Sequence, residues 1–295
     1  MSQFNVGIAF EQFCKNLRFS DDELKTIRYR YHAITKRINE DYWDSNSDTT
    51  LSLYVGSYGR DTEIFSSDID MLVQLPFDTY EKFNNYSSNG QSALLQEVKK
   101  VIEKTYSISH LKSDGQIISI PFTDKINFEV LPAFLNKDGS YTFANANNGG
   151  SWKVTDPKSE IDAIRTMNNL CNSNLKRLCQ MARAWRDKNN VDISGILIDI
   201  LCYNFLSSWE FKDKSYLYYD WMTRDFLEYV SDQPISQTKW KVMGSGRYIS
   251  CTGSFRSSAK KSYEIALKAI SYEKESSALA NSKWRDIYGN KFPML

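Results

Sequence analysis

Residues 54–73 are YVGSYGRDTEIFSSDIDMLV, a glycine-containing turn followed by two closely spaced acids. The apolar alternation just upstream, at residues 51–55, predicts a strand that enters a turn at Gly56-Ser57. A glycine lets backbone amides approach a ligand closely. If a helical turn starts there, its unpaired amides favour a phosphate, and the Ser57 hydroxyl can add a hydrogen bond. We therefore consider Gly56 and Ser57 candidate phosphate-binding residues.

Asp68 and Asp70 belong to the second half of this stretch, next to an apolar run that predicts a strand over residues 69–75. Residues two apart on a strand project to the same face, so the two carboxylates can share a hard cation. Two like charges this close repel each other, and a bound Mg²⁺ would relieve that repulsion. The alternative is a pair of solvated acids in a turn.

Residues 126–134, INFEVLPAF, contain a third acid, Glu129, within a β-like run. Apolar runs on both sides of Thr123-Asp124-Lys125 predict a hairpin. If this strand lies beside Asp68 and Asp70, three carboxylates converge and can support two-metal phosphoryl chemistry. One metal would orient a triphosphate, and the other would lower the pKa of an attacking hydroxyl. The alternative is a surface acid on an edge strand.

The rest of the chain predicts helices around this small sheet. The first forty residues predict two helices, and Ser20-Asp21-Asp22-Glu23 has the spacing of a capping box at the start of the second. Loops are expected at residues 84–91 and at 136–151, the latter a linker or mobile loop. Further helices are predicted at roughly 94–102, 158–189, 194–210, 215–231 and 257–286.

Composition narrows the class of protein. The 295 residues carry 37 Lys and Arg against 36 Asp and Glu, so the net charge of +1 argues against non-specific coating of nucleic acid. No apolar run approaches membrane-spanning length and the N-terminus lacks a basic signal region, so we expect a soluble cytoplasmic protein. With two His and no CxxC among five Cys, a His-based triad or a zinc site is not expected. The cysteines are interpreted as buried free thiols.

Together, the Gly56-Ser57 turn, the Asp68 and Asp70 pair, and Glu129 before Leu-Pro-Ala-Phe resemble the polymerase-β-type nucleotidyltransferases. More narrowly, the chain is similar to the CD-NTases, bacterial relatives of cyclic GMP-AMP synthase and oligoadenylate synthase. Further landmarks extend the resemblance over roughly residues 50–293: Trp152, Pro157, Met181-Ala-Arg-Ala-Trp185 and Trp284 to Pro293. It implies an α+β fold, with a catalytic lobe of polymerase-β type and mixed sheet at 1–150, including the N-terminal helices, and a helical lobe at 151–295.

The resemblance also implies roles for the acids. Asp68 and Asp70 would bind two Mg²⁺ ions, or Mn²⁺ in their place. Glu129 would complete the metal site and help to deprotonate the attacking ribose hydroxyl. Most relatives have Asp at this third position, so the extra methylene of Glu129 is a departure that bears on metal geometry and activity.

For the nucleotide, the resemblance implies that Gly56 and Ser57 hold the terminal phosphates of the donor. Relatives often carry a Lys on the long helix and a Ser at the start of the next one, both near the triphosphate. Arg183 and Ser194 have similar spacing here. A solvated basic flank on a core helix is the alternative for Arg183. Ser194 is followed by Gly195 rather than by the Tyr that relatives often have.

The implied activity is the joining of ribonucleoside triphosphates, with release of pyrophosphate, into a cyclic di- or trinucleotide. The implied role is bacterial antiphage signalling, in which the product activates a separately encoded effector. We expect a monomer with no membrane partner, and no DNA activator because no zinc-bearing insertion is present in the sequence.

Alternatives remain open at this stage. A nucleotidyltransferase that modifies protein or RNA would share the same acids, and a non-catalytic nucleotide-binding relative could have lost turnover through Glu129. A plain RNA-binding module ranks last because the chain has no basic excess. Gly244-Ser-Gly246-Arg247 faintly resembles a nucleotide-binding loop, but no strand-turn-helix pattern surrounds it, so it is interpreted as an ordinary loop.

Overall fold

The computed structural model describes residues 2–107, 110–251 and 253–294. The helices in this part of the chain are α1 Ser2–Asn16, α2 Asp21–Tyr42, α3 Gly56–Gly59, α4 Phe77–Asn84, α5 Gly90–Glu103, α6 Pro157–Leu170, α7 Asn174–Asn189, α8 Gly195–Ser208, α9 Tyr219–Ser231, α10 Phe255–Tyr272 and α11 Ser277–Tyr288. The strands are β1 Ser52–Tyr54, β2 Ile69–Gln74, β3 Lys112–Asp114, β4 Ile117–Ile120, β5 Phe128–Leu135, β6 Tyr141–Asn145, β7 Ser151–Thr155, β8 Lys239–Lys241 and β9 Tyr248–Ser250.

The chain forms two compact units that alternate along the sequence. The sheet unit comprises Phe19–Arg60 and Ser66–Ile161, and the helical unit comprises the residues through Arg18, Asp61–Phe65 and the chain from Asp162 onward. The N-terminal helix α1 thus belongs to the helical unit. The assignment of a catalytic lobe to 1–150 and a helical lobe to 151–295 stays a prediction.

The sheet unit is built on one mixed sheet of seven strands. Its main path runs β1-β2-β5-β4-β3, with β6 paired to β5 and β7 paired to β6. Strands β2 and β5 are parallel, whereas the other pairs are antiparallel, including the predicted hairpin of β4 and β5. The parallel pair brings together segments that are far apart in the sequence. This mixture of parallel and antiparallel strands confirms the predicted α+β class.

Helix α2 covers this sheet together with α5, against which it packs. The predicted capping box is present at its start: the Ser20 side chain accepts a hydrogen bond from the Glu23 amide, and Glu23 reaches back to the Ser20 amide. Helix α5 buries Leu94, Leu95 and Val98 on one side, as its periodicity predicts.

Aromatic side chains form the centre of the helical unit. Phe10 of α1 makes edge-to-face contacts with Trp284 and Phe292, at centroid distances of 5.2 and 5.1 Å. In α7, Trp185 is 1% exposed and its indole N–H donates to the Ser262 hydroxyl over 2.9 Å. These contacts join helices from both ends of the chain into one core.

Several predicted boundaries were wrong. Residues 136–151 do not form a linker, because Tyr141 and Phe143 are buried in β6 and pair this stretch with the sheet. The predicted helix at 158–189 is broken where Asn172 and Ser173 adopt positive φ values of 49° and 65°. The helix predicted at 257–286 is likewise divided into α10 and α11.

Within the described residues, no helix combines the length and the apolar character needed to cross a membrane.

Candidate active site

Strands β2 and β5 place two of the predicted acids side by side. Their parallel register pairs Asp70 with Glu129. Adjacent strands lie about 4.8 Å apart, and paired residues in parallel strands project to the same face, so the two carboxyl groups are direct neighbours. The structure thus brings together two of the three acids through a pairing of distant segments.

Asp68 lies just before β2 and is exposed. Its Oδ1 accepts a hydrogen bond from the Asn127 side-chain amide over 3.2 Å. The Asp68 charge raises the pKa of both Asp70 and Glu129, which shows that the three carboxyl groups are within electrostatic reach of one another. The structure therefore places Asp70 beside Glu129, with Asp68 nearby, and the convergence of all three acids on one ion stays a prediction.

Burial and mutual repulsion raise the pKa of both central acids. Burial raises the pKa of Asp70, and the neighbouring Glu129 raises it further, while the Arg60 guanidinium opposes the shift. Burial also raises the pKa of Glu129, and Asp68 adds to this effect. The two carboxyl groups are close enough to share a hydrogen bond when one of them carries a proton. A nearby cation could take over the role of that proton in offsetting the charge.

The turn at Gly56 is packed directly against Asp70. Gly56 has a φ of 59°, and a Cβ at this position would lie 1.8 Å from Asp70 Oδ2. The preceding amide, of Val55, donates to the Asp70 carbonyl over 2.9 Å. A helical turn begins at Gly56, as the sequence predicts, so Gly56 and the partly buried Ser57 adjoin the acids.

The donor set suits a hard cation, although it is not arranged as a finished metal site. Among the described residues, no three His, Cys, Asp or Glu side chains are grouped as ligands of one ion. Asp68 is held by a hydrogen bond from Asn127. The chemistry nevertheless fits Mg²⁺ or Mn²⁺, because all three groups offer carboxylate oxygens of like charge. Asp68, Asp70 and Glu129 are the side chains that would hold the ion.

Arg183 and Ser194 belong to the helical unit, and Arg183 has a structural partner there. It is 1% exposed, and its Nη1 lies 2.6 Å from Asp199 Oδ1. Its Nη2 donates to Asp199 Oδ2 over 3.0 Å. An enclosed guanidinium has little surface to offer a phosphate, so this arrangement does not favour the predicted contact. Ser194 is the exposed N-cap of α8.

Two residues near the acids gain a role only in the structure. Asn127, which immediately precedes β5, orients Asp68 by donating a hydrogen bond to it. Arg60 is 7% exposed, and its Nη1 lies 3.5 Å from Glu160 Oε2, a residue one hundred positions away in the sequence. A polar residue within an apolar run was a signal in the sequence that could have identified Asn127. No residue near Arg60 in the sequence indicated its partner.

Solved structures share this fold over almost the whole chain. The cyclic AMP-GMP synthase DncV of Vibrio cholerae, in complex with a linear intermediate, superposes with a TM-score of 0.72 at 16% identity, covering 96% of this chain and 97% of DncV. CdnG of Bradyrhizobium diazoefficiens, in complex with GTP, has a TM-score of 0.69 at 9% identity, with 97% and 96% covered. CdnC of E. coli, in a complex with HORMA, has a TM-score of 0.68 at 12% identity, with 97% of both chains covered.

At the level of families, the chain matches the Second Messenger Oligonucleotide or Dinucleotide Synthetase domain over residues 5–168. No curated protein matches it. The matched residues span more than half of the chain and include the turn at Gly56 and all three acids. The chain therefore belongs to this family of second-messenger synthetases, and it is a nucleotidyltransferase of the CD-NTase type.

Proposed function

We propose that this protein joins ribonucleoside triphosphates into a cyclic di- or trinucleotide and releases pyrophosphate. The observation that carries the proposal is the register of β2 and β5, which sets Asp70 beside Glu129, while Asp70 packs against the turn at Gly56. The synthesis of oligonucleotides from triphosphates needs acids of this kind next to a turn that binds phosphate.

The proposed step is a transfer of a nucleotidyl group. A 2′- or 3′-hydroxyl oxygen forms a bond to the α-phosphorus of a donor triphosphate, and the bond from that phosphorus to the pyrophosphate oxygen breaks. Glu129 accepts the hydroxyl proton at its carboxylate. The amides and the Ser57 hydroxyl at the start of α3 bind the terminal phosphates. Whether Arg183 or Ser194 contributes to phosphate binding stays a proposal, and the buried Arg183–Asp199 pair does not support it.

Asp68, Asp70 and Glu129 would hold two Mg²⁺ ions, or Mn²⁺. When bound, such ions neutralise phosphate charge and lower the pKa of the attacking hydroxyl. The three side chains supply an oxygen-only, negatively charged donor set for that purpose.

For the biological role, we propose antiphage signalling in bacteria, with the cyclic product activating a separately encoded effector. We further propose that the chain acts in the cytoplasm as a monomer, without a DNA activator. The support is the membership of a second-messenger family and the likeness to DncV, which is a cyclic AMP-GMP synthase.

The decisive experiment incubates the protein with all four labelled ribonucleoside triphosphates and Mg²⁺ or Mn²⁺, followed by mass spectrometry and a pyrophosphate assay. We expect a soluble cyclic product from the wild-type chain and none from Asp68→Ala/Asp70→Ala. Asp78→Ala, which removes an exposed acid of the same unit, serves as the control and should retain activity.

Other outcomes would overturn the proposal in distinct ways. Incorporation that requires an added protein or RNA would assign the chain to polymer modification. Mg²⁺-dependent binding without pyrophosphate release would assign it to nucleotide sensing. Turnover that survives the double substitution would refute the role of the two acids.

A further inference from the structure

A short segment of the chain, Asp61–Phe65, connects the turn at Gly56 to the acids, and we call it the anchor segment. It belongs to the helical unit, whereas the residues on either side of it, through Arg60 and from Ser66 onward, belong to the sheet unit. Asp68 follows the anchor segment by only three positions. A restraint on this segment therefore reaches Asp68 through a few covalent bonds.

The strongest contact of the anchor segment lies in the core of the helical unit. Thr62 is fully buried, and its hydroxyl donates a hydrogen bond to Asp199 Oδ2 over 3.0 Å. Asp199 is also fully buried, and both of its carboxylate oxygens accept hydrogen bonds from the Arg183 guanidinium. A hydrogen bond to an ionised group is stronger than one between neutral groups, so Thr62 is firmly held.

Both ends of the anchor segment are fixed within the helical unit as well. At one end, Asp61 forms an ion pair with Lys176 and has a φ of 54°. This left-handed conformation costs energy, and it persists where the surrounding contacts hold it. At the other end, the Phe65 amide donates to the Leu17 carbonyl over 3.0 Å, and the Lys291 ammonium lies 4.0 Å from the centre of the Phe65 ring.

Asp68 is held on its other side by the start of β2. The Ile69 amide donates to the Asn127 carbonyl over 2.9 Å. Three residues, of which Asp68 is the last, lie between this bond and that of the Phe65 amide. A stretch this short has few conformations when both ends are fixed, and it gains freedom when one end is released. Loosening the anchor segment would therefore let the Asp68 carboxylate move.

We propose that Thr62 is a positioning residue for the metal-binding acids. Its hydrogen bond to Asp199 fixes the anchor segment and, through that segment, the backbone at Asp68. The Arg183–Asp199 pair supplies the fixed end of this connection. The inference rests on the proposed function, because that function makes Asp68 a metal ligand.

The test compares two fully buried threonines of the helical unit. Thr62→Val keeps the shape of the side chain and removes the hydroxyl donor, whereas Thr62→Ser keeps the hydroxyl. Thr223→Val is the matched control, because the Thr223 hydroxyl is also fully buried and is hydrogen-bonded to the Tyr288 hydroxyl over 2.9 Å, away from the anchor segment in the sequence. Urea denaturation measures the stability of each variant.

The first readout is independent of activity. Hydrogen exchange of the Phe65 amide is followed by NMR in the full-length chain without metal or nucleotide. We expect the Phe65 amide to exchange about tenfold faster in Thr62→Val, the change that corresponds to the loss of one hydrogen bond. Its exchange in Thr62→Ser and Thr223→Val should stay close to that of the wild type.

The second readout is the dependence of pyrophosphate release on Mg²⁺. Thr62→Val should lower kcat about tenfold and raise the Mg²⁺ concentration needed for half-maximal rate, since a displaced Asp68 holds the ion less well. The KM for the triphosphate should stay unchanged, and Thr62→Ser should restore both quantities. A purely structural loss would reduce the amount of folded protein without moving the Mg²⁺ midpoint.

A surface variant covers the case in which Thr62→Val does not fold. Lys176→Gln removes the ion pair with Asp61 from a partly exposed position and should change both readouts in the same direction by a smaller amount. Its control, Lys283→Gln, breaks an ion pair with Asp286 elsewhere in the helical unit and should change neither.

The inference is overturned if Thr62→Val matches Thr223→Val in the exchange of the Phe65 amide or in the Mg²⁺ midpoint. If Thr62→Val does not fold, a match between Lys176→Gln and Lys283→Gln overturns it in the same way. A wild-type chain that releases no pyrophosphate would refute the proposed function instead, and the exchange of the Phe65 amide would then decide on the anchor segment alone.

Discussion

Gly56 shows how one residue can set the geometry of the proposed catalytic centre. Its φ of 59° and its approach to Asp70 leave no room for a side chain. We predict that Gly56→Ala lowers the free energy of unfolding by about 2–4 kcal/mol, because left-handed strain and steric overlap add. The same change should abolish most pyrophosphate release, since the methyl group would displace Asp70. Urea denaturation and the pyrophosphate assay measure the two effects.

Gly139→Ala is the matched control for this prediction. Gly139 also has a positive φ, of 88°, but a Cβ there would meet nothing within 4 Å. The substitution Gly139→Ala should therefore lower the free energy of unfolding by only about 1 kcal/mol, through backbone strain, and leave activity intact. Equal effects of the two substitutions would show that the contact with Asp70 is unimportant.

Arg183 is the residue whose surroundings differ most from the sequence-based expectation. We predict that Arg183→Met destabilises the fold by about 3–5 kcal/mol, because it removes the guanidinium that neutralises the buried Asp199. Arg186→Met on the same helix should lower the free energy of unfolding by less than about 1 kcal/mol, since Arg186 pairs with Asp187 near the surface. Denaturation curves of the two variants test this. An unchanged Arg183→Met stability combined with lost triphosphate binding would instead support the phosphate contact.

At the scale of elements, α9 and α10 pack together and enclose two acids without a strong counter-charge. Burial raises the pKa of Asp220 to about 6. Burial and then the Asp220 charge raise the pKa of Glu273, at the end of α10, to about 8. Neither Asp220 Oδ1 nor Glu273 Oε1 has a hydrogen-bond partner among the described residues. Ionisation of these carboxyl groups therefore works against the packing of the two helices.

This arrangement predicts that stability falls as pH rises. A carboxyl group with a raised pKa binds its proton more tightly in the folded state, so the free energy of unfolding decreases between the ordinary pKa of 4.5 and about 8 for Glu273. We expect Glu273→Gln to reduce this loss, measured as urea midpoints across that pH range. Glu264→Gln, at an exposed position of α10, should keep the wild-type pH dependence. A Glu273→Gln profile parallel to that of the wild type would contradict the prediction.

For the whole molecule, ligand binding should appear as added stability. A ligand that binds only the folded state at a hundredfold excess over its Kd adds about 2.7 kcal/mol. For a chain of this size that corresponds to a rise in Tm of about 4 °C. We predict such a rise with Mg²⁺ and a triphosphate together, and its loss on adding EDTA or in Asp68→Ala/Asp70→Ala. An equal rise without metal would show that the triphosphate binds independently of the acids.

Local features of the fold were predictable because their causes lie within a few residues. The capping box at Ser20 and the helical turn at Gly56 follow from local hydrogen bonding and backbone freedom. The stretch 136–151 was misjudged because its Asn and Gly residues mark turns, while its strands depend on pairing with β5. The division between α6 and α7 depends on positive φ values that the residue types permit without requiring.

The sequence alone determined the class of fold and the identity of the three acids, since glycine spacing and strand alternation act over short distances. Only the tertiary structure decided which groups meet. Parallel pairing of β2 with β5 set Asp70 against Glu129, and enclosure in the helical unit matched Arg183 with Asp199. Such partners depend on free energies of pairing and burial that are summed over segments far apart in the chain. The type of a charged residue therefore indicates which groups it can bind. Packing decides whether the group that it does bind is a ligand or another side chain.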